Sequence, residues 1–433
     1  MTNLLKKIVI IGGGVSGLKL ATSLGNELGR KKIAKITLVD CNYNYIWKPL
    51  LHEVASGLID YSTESVSYIF HAYENSFKFL LGKMYKIDRK NKKIFLHTNK
   101  NINDKSQIKY ILNYDILVIA IGSKSNNFNI SGVQDNCLFL DNINEAIKFN
   151  NRMMNLFLKF NDVNTNKYII NISIVGGGLT GVELAAAIYN SADLLNKYNV
   201  ININKCLLKV NLIEAGERIL PSLPINLSLS VHKELSKLGV NILTNTLITK
   251  ITSNGMYTKN GEYIYSELIA WVAGIKASDY LKNLDGLETN NINQLIVLPT
   301  LQTTYDTNIF AMGDCSSCVT PEGKIIPPRA QVAHQMSLFL HKNIIRLINK
   351  ELLINYTYTN KGSLVSLSKF NTIGIVVINI IKKSVFLQGF IARIIYLSLY
   401  RSNQISLHGI IKTFGYIITD WINKLIKPKI KIT

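Results

Sequence analysis

The feature that most constrains the fold is a glycine pattern that occurs twice in the chain. Residues 7–17 read KIVIIGGGVSG, and residues 171–181 read NISIVGGGLTG. In each copy a β-branched run leads into glycines and then into helix-forming sequence, which is the beginning of a βαβ unit with parallel strands. The duplication predicts an α/β fold with two Rossmann-like dinucleotide-binding domains in one polypeptide.

The first copy consists of Gly12, Gly14 and Gly17, which fit G-x-G-x-x-G. In this pattern the first glycine allows a tight turn, the second lets backbone approach a pyrophosphate, and the third lets the helix pack on the strand. A predicted strand, Ile36–Asp40, ends in an acid 23 residues after Gly17. An acid at this place would accept a hydrogen bond from a ribose hydroxyl.

Two further apolar runs belong with the first copy. Tyr114–Ser123 is predicted to be a buried strand that ends at Gly122, although an ordinary core strand would have the same sequence. Ile309–Asp314 also reads as a strand that ends in glycine. This second run indicates that the chain returns to the first domain.

The second copy consists of Gly176, Gly178 and Gly181, and Glu214 closes its next predicted strand, Val210–Glu214. An acid there repels the 2′-phosphate of NADPH and so favours NADH. Arg218 lies nearby in sequence and weakens this preference slightly. Glu183 follows on the new helix, where it is either a cofactor contact or a first-turn acid favoured by the helix dipole. Trp271–Gly274 is another predicted strand ending in glycine, where backbone could approach a flat ring or simply turn.

These motifs predict four segments. They are the first part of one nucleotide domain at 1–125, an inserted second domain at 126–295, the return of the first at 296–350, and a C-terminal region at 351–433.

Five sequence motifs in this order resemble the type II NADH dehydrogenases, the single-subunit NADH:quinone oxidoreductases among the two-dinucleotide-binding-domain flavoproteins. The resemblance covers essentially the whole chain. The motifs are Trp47-Lys-Pro-Leu-Leu-His-Glu-Val-Ala55, Val175-Gly-Gly-Gly-Leu-Thr-Gly-Val-Glu183, Trp271-Val-Ala-Gly-Ile-Lys-Ala277, Ala311-Met-Gly-Asp314 and Ala330-Gln-Val-Ala-His-Gln335.

The resemblance implies a role for each matching position. Non-covalent FAD would be held by Gly12, Gly14, Gly17, Asp40, Lys48, Gly122 and Asp314. NADH, as substrate, would contact Gly176, Gly178, Gly181, Glu183, Glu214 and Gly274. Gln331 and Gln335 would line a quinone site and, being four residues apart, would share one helix face, although an ordinary polar face would look the same.

The resemblance also implies the reaction. Hydride would pass from NADH to N5 of FAD, and two electrons would then reduce a membrane quinone in respiratory electron transport, without proton pumping. The cofactors carry this chemistry, so no protein nucleophile is expected. Glu183, Gln331 and His334 are candidates for relaying protons. The implied location is peripheral, on the cytoplasmic face of the bacterial inner membrane; a homodimer is left open.

The cysteines argue against a disulfide reductase, which needs two cysteines close together against its flavin. Cys41, Cys137 and Cys206 are isolated, and only Cys315 and Cys318 form C-x-x-C. Alone, this is half of a common zinc pattern, so we expect it to be structural and predict no metal site.

The end of the chain has the pattern of a helix that lies in a membrane interface. Over residues 405–426 one side is apolar, with Leu407, Ile410, Ile411, Phe414, Ile417, Ile418, Trp421, Ile422 and Leu425. From residue 393 onward seven basic residues face one acid, Asp420; they are Arg393, Arg401, Lys412, Lys424, Lys427, Lys429 and Lys431. Periodicity alone would also fit a helix packed on its own domain. The longest uncharged run there, Phe370 to Ile381, has 12 residues, too few for the roughly 20 of a membrane span.

A net charge of +21 fits either an anionic partner, which we take to be the membrane surface, or a general enrichment of the sequence in Lys, Asn and Ile. No recognisable motif supports nucleic acid as that partner. Two rival functions stay open. One is a nucleic-acid-binding or signalling flavoprotein in which nucleotide binding only sets conformation, and the other is a soluble NADH-dependent reductase that feeds a small electron-carrier protein.

Overall fold

A computed structural model of the protein describes residues 5–99, 107–159, 169–200, 208–320, 323–378, 383–426, 428, 430 and 431. They form two compact units. Unit 1 combines Met1–Trp47, Ser65–Lys124 and Ile275–Thr359, and unit 2 combines Lys48–Glu64, Ser125–Gly274 and Asn360–Thr433. The two glycine motifs fall in different units. The predicted domain boundaries stay a prediction.

The described strands are numbered β1 to β26 in chain order. They are Lys6–Ile11, Ala34–Asp40, Asn44–Tyr45, Val66–Ser67, Lys78–Leu81, Lys83–Asp88, Lys93–Asn99, Gln107–Asn113, Ile116–Ile119, Lys124–Ser125, Leu138–Phe139, Ile170–Val175, Leu208–Ile213, Asn241–Leu243, Ile248–Thr252, Gly255–Thr258, Tyr263–Tyr265, Leu268–Trp271, Ile275–Lys276, Leu295–Val297, Gln302–Thr303, Asp306–Ala311, Ser316–Cys318, Gly362–Leu367, Asn371–Ile378 and Lys383–Gln388.

The described α-helices are numbered α1 to α10 in the same way. They are Val15–Leu24, Leu51–Ala55, Tyr61–Glu64, Tyr68–Glu74, Val133–Asn136, Ile143–Lys159, Leu179–Lys197, Ile225–Leu238, Ala330–Ile348 and Phe390–Ile426. Short 3₁₀ turns occupy Lys48–Leu50, Asp279–Asn283 and Gly313–Cys315, and a π-helical turn, Gly25–Gly29, follows α1.

The main sheet of unit 1 has eight strands in the order β23-β20-β21-β22-β9-β1-β2-β5. Strand β1 lies between β2 and β9 and is parallel to both. Its residues Ile8 to Ile11 are buried, as a strand covered on both faces requires. Helices α1 and α9 pack together beside this sheet.

Unit 2 contains a smaller parallel sheet in the order β11-β18-β12-β13-β14. Helix α7 follows its central strand β12, and its residues Val182 to Ala192 are all buried. Helix α7 also packs against α2 and β24. Each unit therefore has its own Rossmann-like sheet, and the predicted α/β fold with two such domains is confirmed.

Three predicted strand ends differ from the structure. Strand β9 ends at Ile119, β18 ends at Trp271 and β22 ends at Ala311, so each strand stops before the expected glycine or acid. The reason is geometric, because Gly122, Gly274 and Gly313 all have positive φ and cannot continue a strand. Each glycine therefore lies in the loop beyond the carboxyl end of its strand.

The C-terminal region begins with an antiparallel sheet, β24-β25-β26, which the sequence analysis did not predict. Helix α10 follows it and bends at Gly409, where φ is 78° and ψ is 171°. The bend allows Arg401, before Gly409, to pair with Asp420, after it, at 2.6 Å. The helix predicted over 405–426 is therefore present but is interrupted at Gly409, because only glycine readily adopts this backbone conformation.

The apolar side of α10 is largely exposed. The exposed fraction is 74% for Ile410, 88% for Ile411, 63% for Phe414 and 64% for Trp421. Leu407, expected on the same side, is buried. Lys427 and Lys429 lie outside the described residues, and the side chain of Lys424 is not described. No helix in the described part of the chain is long and apolar enough to cross a membrane.

Candidate functional site: two nucleotide cradles

The first glycine motif (Gly12, Gly14 and Gly17) forms the turn between β1 and α1 in unit 1. Gly12 has φ +101°, and a Cβ there would lie 2.4 Å from the Ala120 carbonyl oxygen. A Cβ at Gly17 would lie 1.8 Å from the Gly12 carbonyl oxygen, so helix and turn touch here. At Gly14, which begins α1, nothing lies within 4 Å of that position. The turn is thus tightly packed at Gly12 and Gly17 and leaves open space at Gly14, as a pyrophosphate cradle at a helix N-terminus requires.

Asp40, at the end of β2, lies against this turn. Its Oδ2 accepts a 2.6 Å hydrogen bond from the Gly13 backbone N–H, and its Oδ1 accepts a 2.8 Å bond from Asn42 N–H. The Tyr68 hydroxyl donates to the Gly13 carbonyl oxygen at 2.8 Å. Tyr68 was missed by the sequence analysis, since an aromatic residue on a short helix carries no motif.

Two more predicted residues, Gly122 and Asp314, meet in unit 1. Gly122 has φ +69° with open space around it, and the next residue, Ser123, donates to Asp314 Oδ2 at 2.9 Å. A Cβ at Gly313 would lie 3.3 Å from Ser16 Oγ in α1 and 3.4 Å from Ala333 Cβ in α9. The structure therefore brings Gly122 and Asp314 to the first glycine motif.

Gln331 and Gln335 lie on α9, and the predicted shared helix face is confirmed. Gln331 Oε1 accepts a 2.9 Å hydrogen bond from the Tyr358 hydroxyl. Gln335 donates to the Thr359 carbonyl oxygen at 2.8 Å and accepts from Thr359 N–H at 3.0 Å. Both amides are thus held by the segment that follows α9.

The second glycine motif (Gly176, Gly178 and Gly181) repeats this geometry between β12 and α7 in unit 2. Gly176 has φ +120°, and a Cβ there would lie 2.7 Å from Ala273 N. A Cβ at Gly181 would lie 2.0 Å from the Gly176 carbonyl oxygen, while nothing lies within 4 Å at Gly178. A second open cradle therefore faces away from the sheet.

Glu214, directly after β13, occupies the place that Asp40 has in unit 1. Its Oε2 accepts a 2.8 Å hydrogen bond from Gly177 N–H, and its Oε1 accepts a 2.8 Å bond from Gly216 N–H. The Arg218 guanidinium donates to the carbonyl oxygens of Leu220 and Pro221. Arg218 is therefore held by backbone oxygens.

Gly274 and Lys48 also lie in unit 2. Gly274 has φ +58°, and a Cβ there would lie 2.5 Å from Cζ of Phe128, whose side chain is 54% exposed. Lys48, expected beside the FAD, has its Nζ 3.9 Å from Asp141 Oδ1. The first glycine motif, with which Lys48 was predicted to bind the FAD, is in unit 1.

Glu183, on α7, is buried and lies against α2 and β24. Its Oε1 accepts a 3.0 Å hydrogen bond from Ser366 N–H, and its Oε2 lies 3.6 Å from Nδ1 of the buried His52. Burial raises the pKa of Glu183 to about 8 and lowers the pKa of His52 to about 4. At neutral pH both groups are therefore mainly uncharged. His52 was missed by the sequence analysis, although it stands in the motif that contains Lys48.

The cysteines do not form a reactive pair. Cys315 and Cys318 are both buried, and burial raises the pKa of each thiol to about 11. Such thiols remain protonated and unreactive at neutral pH. The described residues contain no group of three or more His, Cys, Asp or Glu that could hold a metal ion. Cys206 lies outside the described residues.

Comparison with known proteins identifies the family. A model of the pyridine nucleotide-disulphide oxidoreductase family matches residues 6–337. A type II NADH:quinone oxidoreductase from Haemophilus influenzae is 45% identical over 99% of this chain and 100% of its own length. An enzyme of that description from Staphylococcus aureus is 28% identical over 86% of this chain and 90% of its own length.

Solved structures share the fold. NDH2 from Plasmodium falciparum, in complex with NADH, superimposes with a TM-score of 0.82 at 21% identity, covering 99% of this chain and 100% of that one. The sulfide:quinone oxidoreductase of Aquifex aeolicus has a TM-score of 0.73 at 16% identity, covering 98% and 96%. The family match and the 45% identity over nearly the full length together show that this chain belongs to the pyridine nucleotide-disulphide oxidoreductases and, among them, to the type II NADH:quinone oxidoreductases.

Proposed function

We propose that the chain transfers electrons from NADH to a quinone through a non-covalently bound FAD. The observation that carries this proposal is the duplicated cradle. Asp40 and Glu214 each accept a backbone hydrogen bond from the glycine that follows the first motif glycine, which is Gly13 in unit 1 and Gly177 in unit 2. Two dinucleotides can therefore be held by one chain, as this reaction needs. The balance of the reaction is NADH + H⁺ + quinone → NAD⁺ + quinol.

FAD is assigned to unit 1. The open space at Gly14 and Gly122 fits a cofactor whose phosphates and ring approach the backbone closely. Asp40 and Asp314 would face its ribose and ribitol. When bound, FAD supplies hydride acceptance at N5 and the delivery of two electrons.

NADH is assigned to unit 2. The N-terminus of α7 at Gly178 would bind its pyrophosphate, and Glu214 would accept from its ribose hydroxyls. Gly274 would lie beside the nicotinamide, where a side chain would otherwise obstruct the ring. The carboxylate of Glu214 gives NADH the advantage over NADPH, because it would repel a 2′-phosphate.

The quinone is assigned to the amides of Gln331 and Gln335. Their bonds to Tyr358 and Thr359 fix their orientation, which is what hydrogen bonding to a quinone carbonyl requires. Glu183 is proposed as the proton donor of the reaction. Its raised pKa keeps a proton available on a buried carboxyl at neutral pH.

Helix α10 is proposed as the part that contacts the membrane. Its exposed apolar side chains lie among basic residues such as Arg393 and Lys412, a combination that suits an anionic lipid surface. The enzyme would then be peripheral on the cytoplasmic face of the bacterial inner membrane and would reduce quinone there without pumping protons.

The proposal is tested with the purified full-length protein. We expect flavin absorbance in the isolated protein, release of FAD on denaturation, and NADH oxidation that depends on a short-chain quinone. A protein without flavin, or one that oxidises NADH no faster when quinone is added, would contradict the proposal.

The membrane contact is tested separately with exposed side chains. Removing residues 393–433 would also delete the bond from Lys431 N–H to the Gly57 carbonyl oxygen, so point variants are sharper. We expect Ile411→Ser with Trp421→Ser to weaken binding to vesicles containing anionic lipid and to leave the flavin in place. Tyr305→Ser, also at an exposed position, is the control and should bind vesicles as the unchanged protein does.

A further inference from the structure

Three ionisable side chains form a line in unit 2, with Glu53 and His52 on α2 and Glu183 on α7. His52 Nδ1 lies 3.6 Å from Glu183 Oε2, and His52 Nε2 lies 3.8 Å from Glu53 Oε1. Each ring nitrogen therefore faces a different carboxylate. These distances are slightly longer than hydrogen bonds, and a small rotation or one bridging water would close each gap.

Exposure differs along this line. The side chain of Glu53 is 22% exposed, that of His52 is 4% exposed and that of Glu183 is 10% exposed. Glu53 is thus the end most open to solvent, while His52 lies between it and the carboxyl of Glu183. A proton that Glu53 takes up from water would therefore pass through the His52 imidazole to reach Glu183.

The groups around the line limit its protonation states. Ser366 N–H donates to Glu183, the Pro49 carbonyl accepts from the His52 ring, and Tyr396 of α10 faces both acids. Burial and these two acids together raise the pKa of Tyr396, so it stays a neutral phenol. The low pKa of His52 and the raised pKa of Glu183 have the same cause, which is the loss of water around them.

Helix α2 is held firmly enough to keep this arrangement. Asn150 of α6 donates to the Ala55 carbonyl oxygen at 3.2 Å, and Ser191 of α7 donates to the Ser56 carbonyl oxygen. Because Glu183 and Ser191 are on the same helix, α2 is tied to the element that carries the buried acid.

We propose that His52 is a positioning residue that returns a proton from Glu53 to Glu183 in each catalytic cycle. This inference rests on the proposed function, in which Glu183 gives a proton to the reaction. Quinone takes two electrons and two protons, one proton equivalent coming with the hydride of NADH and the other from solvent. The relay supplies the second one.

The step balances without an imidazolium. Protonated Glu53 gives its proton to the bare nitrogen of the neutral ring, and the opposite N–H of the ring gives its proton to the Glu183 carboxylate. Glu53 is left as a carboxylate and takes a new proton from water. The ring ends as the other tautomer, and a half-turn about its Cβ–Cγ bond carries the new N–H away from Glu53 for the next transfer, so no net charge stays in the buried region.

The test compares two electron acceptors with different proton demands. Ferricyanide takes electrons only, whereas a short-chain quinone takes protons as well. In His52→Gln we expect the kcat with quinone to fall by about 100-fold, the lower end of what acid–base groups contribute, while the rate with ferricyanide stays within about twofold. Added imidazole should restore part of the quinone rate. Glu53→Gln should act in the same direction.

The matched control is His71→Gln. His71 is also buried, but it lies in unit 1, with its Nε2 2.8 Å from Thr22 Oγ1. The His71→Gln variant should leave the ratio of the quinone rate to the ferricyanide rate unchanged. If His52→Gln does not retain flavin, the relay is tested with Glu53→Gln. The Glu53 side chain is partly exposed, so its substitution disturbs packing less.

Equal losses with both acceptors, or no loss with quinone, would overturn the relay. If the protein without any substitution has no quinone activity, the proposed function itself is contradicted instead. The two failures are therefore distinguishable.

Discussion

The two glycine motifs have nearly the same backbone but different helices behind them. In both, the first glycine has positive φ, the second begins a helix beside open space, and the third touches the first. Two residues past the third glycine, however, unit 1 has Lys19 and unit 2 has Glu183. The repeated part thus has the geometry of a nucleotide cradle, while the position that differs gives the two helices different ionisable side chains.

The surroundings of these two positions differ as much as the residues do. Lys19 lies near the pair formed by His341 and Glu27, whose side chains are 21% and 41% exposed. Glu183 lies near the buried His52, in a place where charge is costly. An acid can therefore keep its proton in unit 2, whereas the matching position in unit 1 is a lysine near a more exposed His–Glu pair.

The largest expected effect comes from the second glycine of each motif. Both have ordinary negative φ and open space, so alanine at either should fold normally and block only the ligand. We expect Gly14→Ala to lose flavin and to lower activity by about 100-fold. Gly178→Ala should keep its flavin and raise the KM for NADH by roughly tenfold, equal to about 1.4 kcal/mol.

Flavin content and steady-state kinetics measure both outcomes, and melting temperature controls for folding. If the two variants lose the same ligand, the assignment of one cradle to each dinucleotide is wrong.

The next largest effect should be on the pH dependence of stability at Glu183. A buried acid whose pKa is raised to about 8 holds its proton in the folded state and releases it on unfolding. The stability it contributes is present below its ordinary value of 4.5 and is lost as pH rises through 8. Between pH 6.5 and 8 the free energy of unfolding should therefore fall by about 2 kcal/mol in the unchanged protein.

Glu183→Gln should remove this dependence of the free energy of unfolding on pH, and denaturant unfolding at several pH values would measure the slope. The pKa of His52 is lowered from 6.5 to about 4, so its contribution changes only below this window. The matched control is Lys19→Gln at the equivalent position, where the slope should persist. A slope that survives in Glu183→Gln would mean that the acid is ionised in the folded protein.

The sequence predicted the two glycine turns and their acids well, but it did not predict the surroundings of Glu183. Glycines at a turn and an acid at the end of the next strand are local patterns, so Gly12, Asp40 and Glu214 could be placed without a structure. The partners of Glu183 could not, because His52 and Ser366 come from distant parts of the chain. The break at Gly409 was also missed, since an apolar period continues across a glycine whose conformation is set by packing.

The smallest expected effect concerns the acids that follow the second strand of each unit. Glu214 accepts from two backbone N–H groups, and glutamine would keep only one oxygen acceptor while removing the negative charge. Because like charges placed together cost several kcal/mol, Glu214→Gln should narrow the preference for NADH over NADPH by about tenfold. The measurement is kcat/KM with each nucleotide.

Arg218→Ala is the informative control for this preference. Arginine can accommodate a 2′-phosphate in principle, but here its guanidinium donates to the carbonyl oxygens of Leu220 and Pro221. We therefore expect its removal to lower stability slightly and to change the nucleotide preference less than Glu214→Gln does. If Arg218→Ala has the larger effect, the arginine leaves its carbonyl partners when nucleotide binds, and the acid alone does not set the preference. Asp40→Asn in unit 1 should weaken flavin binding without changing the choice between NADH and NADPH, because its cradle holds the other dinucleotide.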